Sequence, residues 1–493
     1  MRPMGLIGLM RITRHIGLVV VLVVSWQAAS AQTMEERYRS FQRSAKKTYA
    51  DFRDEANARY AKFLNEAWQP CSPDSTVSEP QRQLDPPVYR EETDTVREPE
   101  VIQYELNTAA TAEYVQPQPI APVKENRQPS ETIDIVFYGT TLTFRAPKLA
   151  EVKLKRLSDK QYAAAWQTLA GEEFDNLLFD CLAARDKYQL CDYAYIQMLE
   201  ALSEKIYGKT NEAVFLKAFL YAQSGYSMKL ANSLGDNRLY MLFGSKYTLY
   251  NRQMYTLEGM HYYLTEDAPD DLCISRASFS NEQPLSLQIN YDLRLAGDSM
   301  KAVSRTSGMG IRSSLEVNEH LIDFYQNYPT GNIEGELSTL YAVYANAPLE
   351  KDIRQTLYPA LKKAIKGYSE RDAVNKLLNF VQTAFEYKVD DEVWGQDRIF
   401  FPLETLYYPY SDCEDRSILF SRLVRDLTGN DVVLVLYPNH LATAVRFNSD
   451  VKGDYLMLDN EKYVICDPTY INSSAGEAMP RYRGVTAQII KLQ

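Results

Sequence analysis

Apolar positions change their spacing several times along the chain, and each change marks an element. Ile16–Trp26 is a continuous apolar run behind Arg11 and Arg14. Met34, Tyr38, Phe41, Ala45, Thr48, Phe52, Ala56, Arg59 (or Tyr60), Phe63 and Ala67 then form a mostly apolar stripe with a mean step of about 3.7 residues, which predicts one nearly straight helix over 33–68. That stripe needs a partner, either the body of the protein or a second chain. Residues 70–129 hold ten of the 22 prolines and few clustered apolar residues. Such a segment buries too little surface to offset its ordering entropy, so it reads as a linker, extended where proline is dense. β-rich runs at Ile133–Tyr138 and Thr141–Phe144 flank Gly139, and helical spacing follows from Ser158 to about Ala222. Shorter β-like runs come next at Ser227–Ala231, Leu239–Phe243, Tyr255–Leu257 and His261–Leu264. Leu285, Leu287, Ile289, Tyr291, Leu293 and Leu295 alternate strictly with non-apolar residues and predict a half-buried strand. Helices are expected at 349–366 and 371–386.

These patterns predict an α+β protein. Its parts are a signal peptide (1–31), an amphipathic helix (32–69), a proline-rich linker (70–130), an α+β domain (131–270), a β-rich region (271–345) and a carboxy-terminal domain (346–493). The chain has 493 residues and a formal net charge of -11. No basic block stands out, which argues against nucleic acid as a partner. The apolar run at 16–26 is short for a bilayer span, and Ala29-Ser30-Ala31 offers a cleavage site before Gln32. A cleaved secretory signal is favoured over an anchor, giving a secreted or periplasmic protein with no membrane span after cleavage. Six cysteines, at 71, 181, 191, 273, 413 and 466, are too sparse for a disulfide scaffold, with Cys181–Cys191 the nearest candidate pair. His261, His320 and His440 are far apart and no CxxC pair exists, so no metal site and no cofactor are expected.

The chemistry gathers near the carboxy end. Ile418, Leu419, Leu423, Val424 and Leu427 mark one face of a helix that Ser411 or Asp412 caps and Gly429 ends. Cys413 then sits in the first turn, where unpaired N–H groups and the helix dipole favour a thiolate. Strand-like runs follow at Asp431–Tyr437 and Leu441–Phe447, with His440 opening the second, and at Tyr463–Asp467. Cysteine acyl transfer needs a thiol at an electropositive helix start, an imidazole to take its proton and an acid or amide to orient the imidazole. Cys413, His440 and Asp467, spaced 27 and 27 residues apart, supply these in chain order. Alternation along the last strand puts Cys466 on the opposite face from Asp467. Glu414 and Asp415 oppose thiolate formation unless they turn outward with Arg416 as partner; Asp415 could also be a structural hydrogen-bonder. The oxyanion donors would be the Cys413 backbone N–H and one upstream group, Gln396 or Trp394.

Asp412-Cys413-Glu414-Asp415-Arg416 resembles the nucleophile motif of bacterial transglutaminase-like proteins. Asn439–Val445 is similar to their histidine strand, and Asp467-Pro468-Thr469-Tyr470 to their Asp-Pro-Thr motif. The resemblance covers about residues 345–493. It implies a papain-like α+β core with Cys413 as nucleophile, His440 as general base and Asp467 as its orienting acid, supported by Asp412, Asp415 and Tyr470. It also implies acyl transfer at the amide bonds of a peptide or protein substrate in or near the cell envelope. Hydrolysis is favoured over cross-linking. The opposing class is a non-catalytic peptide- or envelope-binding module, and a third is a scaffold reaching an oligomer partner through the 33–68 helix. Residues 195–243 look like a degenerate echo of the same fold: Thr210-Asn211-Glu212-Ala213 opens a helix, Gly225 follows as Gly429 does, and Asn211 falls at the cysteine position.

Overall fold

The computed structural model describes residues 51–493 apart from 67, 83, 92–97, 108–113, 148–151, 155, 234 and 236. The signal segment and most of the 33–68 helix lie outside the described residues. The chain forms two compact units, residues 1–59 and 60–493. In the first, residues 51–59 are helical. In the second, the helical turn at 60–64 buries Tyr60, Ala61 and Leu64, while Phe63 stays 38% exposed. The buried stripe therefore runs through Tyr60 and Leu64 and not, as expected, through Phe63.

The second unit opens its body with an antiparallel hairpin, Ser130–Phe137 with Thr140–Pro147. Four helices follow: Asp159–Leu169, Asp175–Tyr188, Asp192–Tyr207 and Asn211–Gln223. The last packs on the hairpin of Met228–Ser233 and Leu239–Ser245. That hairpin is the centre of a six-stranded sheet. Met260–Leu264 pairs with Leu239–Ser245 and Met254–Leu257 pairs with Met260–Leu264. On the other side Leu272–Ile274 pairs with Met228–Ser233, and Gln69–Cys71 forms the edge.

The carboxy-terminal half has the same connectivity. The helix Cys413–Thr428 packs on the hairpin of Val432–Tyr437 and His440–Arg446. Glu461–Cys466 pairs with His440–Arg446, and Tyr455–Leu458 with Glu461–Cys466. Ala487–Lys491 pairs with Val432–Tyr437, and Tyr104–Asn107 forms the edge. Strand for strand the two sheets share one order; they differ in the edge strand, antiparallel in the first and parallel in the second. Both halves place a helix start against the start of the second hairpin strand. Leu239 N–H donates to Asn211 Oδ1 at 2.9 Å in the first. In the second, Leu441 N–H hydrogen-bonds Cys413.

One apolar core runs from Tyr60 to Ile490, so the regions read as 131–270, 271–345 and 346–493 are parts of one compact unit. The helices Lys351–Ile365 and Glu370–Thr383 lie where the periodicity puts them. The alternating run is different. Leu285, Leu287, Ile289, Leu293 and Leu295 are buried while Tyr291 is 58% exposed, yet the segment has a single bridge, Ser245 to Leu285, and no ladder. Alternation reports which side chains face the core; it does not supply a neighbouring strand.

The proline-rich segment is no free linker. Its described parts run extended but join both sheets: 69–71 and 104–107 as edge strands, and Val88–Tyr89 paired with Tyr470–Ile471. At Gly225 (φ +93°) a Cβ would lie 1.9 Å from the Gln118 carbonyl oxygen, so glycine permits this close approach. Backbone hydrogen bonding to the sheets, which composition does not encode, supplies the ordering that side-chain burial could not. All six cysteines are unbridged, Cys181 and Cys191 included. Among the described residues no helix is long and apolar enough to cross a membrane.

Candidate active site

Asp412 is the N-cap of the cysteine helix. Its Oδ1 accepts from Asp415 N–H at 3.4 Å, and Asp415 Oδ2 accepts from Asp412 N–H at 3.3 Å, a reciprocal capping box. Gly429 (φ +74°) ends the helix in the left-handed region. Cys413 is thus the first helical residue, fully buried. Ser417 Oγ, one turn on, donates to Leu441 O at 2.7 Å and ties the helix start to the histidine strand.

His440 Nε2 lies 2.9 Å from Asp467 Oδ2, both side chains buried. The other carboxylate oxygen, Oδ1, accepts from Thr469 N–H at 2.9 Å and Tyr470 N–H at 3.3 Å. The Asp-Pro-Thr-Tyr turn therefore fixes the acid by its own backbone. Gln382, at the end of the Glu370–Thr383 helix, locks the turn from beneath: its Nε2 donates to Asp467 O, Tyr470 O and Ser473 O at 3.1, 2.9 and 3.3 Å. The Tyr482 ring stacks on His440 at 4.8 Å with an interplanar angle of 3°. Cys466 is buried and its residue pairs with Thr443 in the sheet, adjacent to Asp467 in sequence.

The charges around the sulfur differ from expectation. Glu414, Asp415 and Arg416 are all turned inward and buried. Cys413 Sγ donates to Glu414 Oε2 at 3.1 Å rather than bonding the imidazole. Burial, then Glu414 and Asp412, push the thiol well above its ordinary pKa, so it is protonated here; the Leu441 N–H acts in the opposite direction. Arg416 does not pair with the acids. It donates to Ser411 Oγ, Gln382 O and Phe385 O at 3.1, 3.2 and 2.9 Å, as a strut between helices. Asp415 is a structural hydrogen-bonder: its Oδ1 also accepts from Phe400 N–H at 2.8 Å.

Carboxylate oxygens of Asp390, Asp412 and Asp415 lie within 4.8 Å of one another, a spacing a cation could bridge. Backbone N–H groups already occupy one oxygen of Asp390 and of Asp412 and both oxygens of Asp415, with Arg398 N–H on Asp390 Oδ2 at 2.7 Å. Burial and the neighbouring acids raise Asp390 to about 8 and Asp412 and Asp415 well above their usual range, so the group holds protons.

The two upstream oxyanion candidates, Gln396 and Trp394, sit differently. Gln396 is exposed. Trp394 packs against Tyr408 at 5.2 Å and under the Arg398 guanidinium at 4.4 Å, beside a cleft lined by Lys301, Glu319 and His320. Sequence reasoning also missed Arg82. It bonds Asp397 and Tyr341 and lies 3.3 Å from Glu414 Oε1. No local pattern points to it, because it sits in a low-complexity stretch 315 residues from Asp397.

No protein-family model matches this chain, and neither does any curated protein or solved structure.

Proposed function

We propose that the protein is a secreted or periplasmic cysteine enzyme of transglutaminase-like character, which transfers acyl groups from peptide amides through a Cys413 thioester. The observation that carries this reading is the buried His440–Asp467 pair at 2.9 Å, beside a cysteine in the first turn of a capped sixteen-residue helix. Asp467 accepts at Nε2 and so selects the tautomer that leaves Nδ1 as the base. In the reaction His440 takes the thiol proton and Sγ bonds the amide carbonyl carbon. Collapse breaks the C–N bond, and the leaving amine carries off the proton from His440. Water then cleaves the thioester to a carboxylic acid and restores the thiol; an amine in its place gives a cross-link. Hydrolysis is the favoured outcome. The Leu441 N–H and the helix start supply positive potential at the sulfur once Glu414 withdraws.

The amino-terminal half carries Asn211 at the helix position of Cys413, and by the hairpin registers Leu239 stands where Leu441 does, which leaves Arg238 at the strand position of His440. It fits a degenerate, non-catalytic repeat, with a cavity of about 470 Å³ beside Asn211.

One observation favours a second reading, a peptide-binding module without turnover: Glu414 holds the thiol proton in a fully buried site. Mass-spectrometric comparison of wild type and Cys413→Ala on a peptide mixture separates the two. Cleaved or cross-linked peptides that depend on Cys413 support the enzyme; identical peptide profiles, also when the comparison is made in a chain whose Cys413 has been opened to solvent, support the module.

A further inference from the structure

The chain before the body threads across all three motifs of the site. Arg82 reaches Glu414, the neighbour of Cys413, at 3.3 Å. Asp85 N–H donates to the carbonyl of Asn439, the neighbour of His440, at 3.1 Å. Val88–Tyr89 adds as a short parallel strand to Tyr470–Ile471, just past Asp467, and Arg90 N–H donates to Ile471 O at 2.9 Å. Side chains close over the crossing. Tyr482, stacked on His440, donates to Asp85 Oδ2 at 2.5 Å, and Tyr387 donates to Asp85 O at 3.0 Å. Cys413, His440 and Asp467 are 0%, 2% and 1% exposed.

A thiol that attacks an amide must meet the carbonyl, and no substrate chain reaches a sulfur with no exposed surface. A segment held by backbone hydrogen bonds to a strand edge and by one anchoring side chain is bound as a peptide ligand is bound. The anchor is cationic, and its socket is made of buried Asp397 and Glu414.

We infer that residues 82 and 84–90 are a resident peptide in the substrate cleft, keeping Cys413 latent until displaced, and that the competing substrates are extended peptides with a basic side chain for the Asp397–Glu414 socket. This rests on the proposed acyl-transfer reading for the word substrate; the occlusion itself stands apart from it. Displacement frees Glu414 from Arg82 and opens Sγ to solvent, and no covalent step is required.

The test is the iodoacetamide labelling rate of Cys413 in the full chain, read by peptide mass spectrometry. Asp85→Ala/Arg90→Pro removes the Tyr482 contact and the Ile471 hydrogen bond. Cys413 should label at least tenfold faster than in wild type, while buried Cys181, Cys191 and Cys466 stay unlabelled and so report an intact fold. Tyr387→Phe/Tyr482→Phe removes only the two phenol donors to Asp85 and keeps both rings; it should give a rise of about threefold. A synthetic peptide of residues 78–91 should restore protection to the first variant, and the same peptide with Arg82→Ala should not. Wild-type labelling rates in both variants would overturn the proposal, as would equal protection by the two peptides. Faster labelling without peptide turnover would sink the enzyme reading and leave the resident peptide standing.

Discussion

Replacing Arg82 with methionine keeps the aliphatic stem and removes the charge. In the structure the guanidinium bonds Asp397 and Tyr341 and faces Glu414 at 3.3 Å, and the side chain is 12% exposed. Burial pulls its pKa down, and Glu414, Tyr341 and Asp397 more than restore it, so the ion is held by its partners. Removing one member of a buried ionic group leaves uncompensated charge and costs about 3–5 kcal/mol. At pH 8 the loss should be about 4 kcal/mol in urea unfolding followed by tryptophan fluorescence. Protonation of a stranded carboxyl relieves the loss by up to ~1.4 kcal/mol per pH unit, so at pH 6 it should fall to about 1–2 kcal/mol. In Glu414→Gln/Arg82→Met the two costs should fall short of additive by about 1–3 kcal/mol, because the pair is in contact. A loss below about 1 kcal/mol, or one of equal size at both pH values, would refute the reasoning that this cation neutralises a buried acidic socket.

Other outcomes follow from the same contacts. Burial raises Glu350 and Glu404 from 4.5 to about 7. The folded state therefore binds their protons more tightly than the unfolded chain. The resulting stability is complete below pH 4.5 and is lost as pH rises through 7, worth roughly 3 kcal/mol for each group. Unfolding free energy should thus drop between pH 5 and pH 8, and Glu350→Gln/Glu404→Gln should flatten that slope. Gln382→Ala strands three carbonyls around the Asp467 turn and should cost about 2–3 kcal/mol by thermal unfolding. In the opened Asp85→Ala/Arg90→Pro chain, Asp467→Asn should keep the fold but present an amide donor to Nε2, and turnover should fall by about 10²-fold or more while peptide binding persists.

Local chemistry made much of the site region legible. A capping residue before an apolar face located the helix start at Cys413, and the glycine located its end, because both are settled within a few residues. The strand-like runs Leu441–Phe447, opened by His440, and Tyr463–Asp467 overlap the strands His440–Arg446 and Glu461–Cys466. The direction of Glu414 was not legible. At the second helical position a side chain can face water or protein, and what turned it inward is Arg82, more than three hundred residues away. The path of residues 84–90 across the site was hidden for a related reason. Asp85 meets Asn439 and Arg90 meets Ile471 through main-chain hydrogen bonds, which carry no side-chain signature. Proline density correctly implied an extended chain there but said nothing of an edge for it to join. Leu285–Leu295 shows the converse: burial alternates, and the ladder that alternation implied is missing. The likeness of the halves was visible only as a helix, a glycine and a strand until the pairing gave both sheets one order.

The most direct test of the central claim is to trap the acyl-enzyme. The Asp85→Ala/Arg90→Pro chain, incubated with an activated peptide ester bearing an arginine, should gain the mass of one acyl group on Cys413, released by hydroxylamine. Cys413→Ala in the same background should gain none. An acyl adduct absent from Cys413, or appearing equally in the alanine variant, would contradict a thioester at this cysteine.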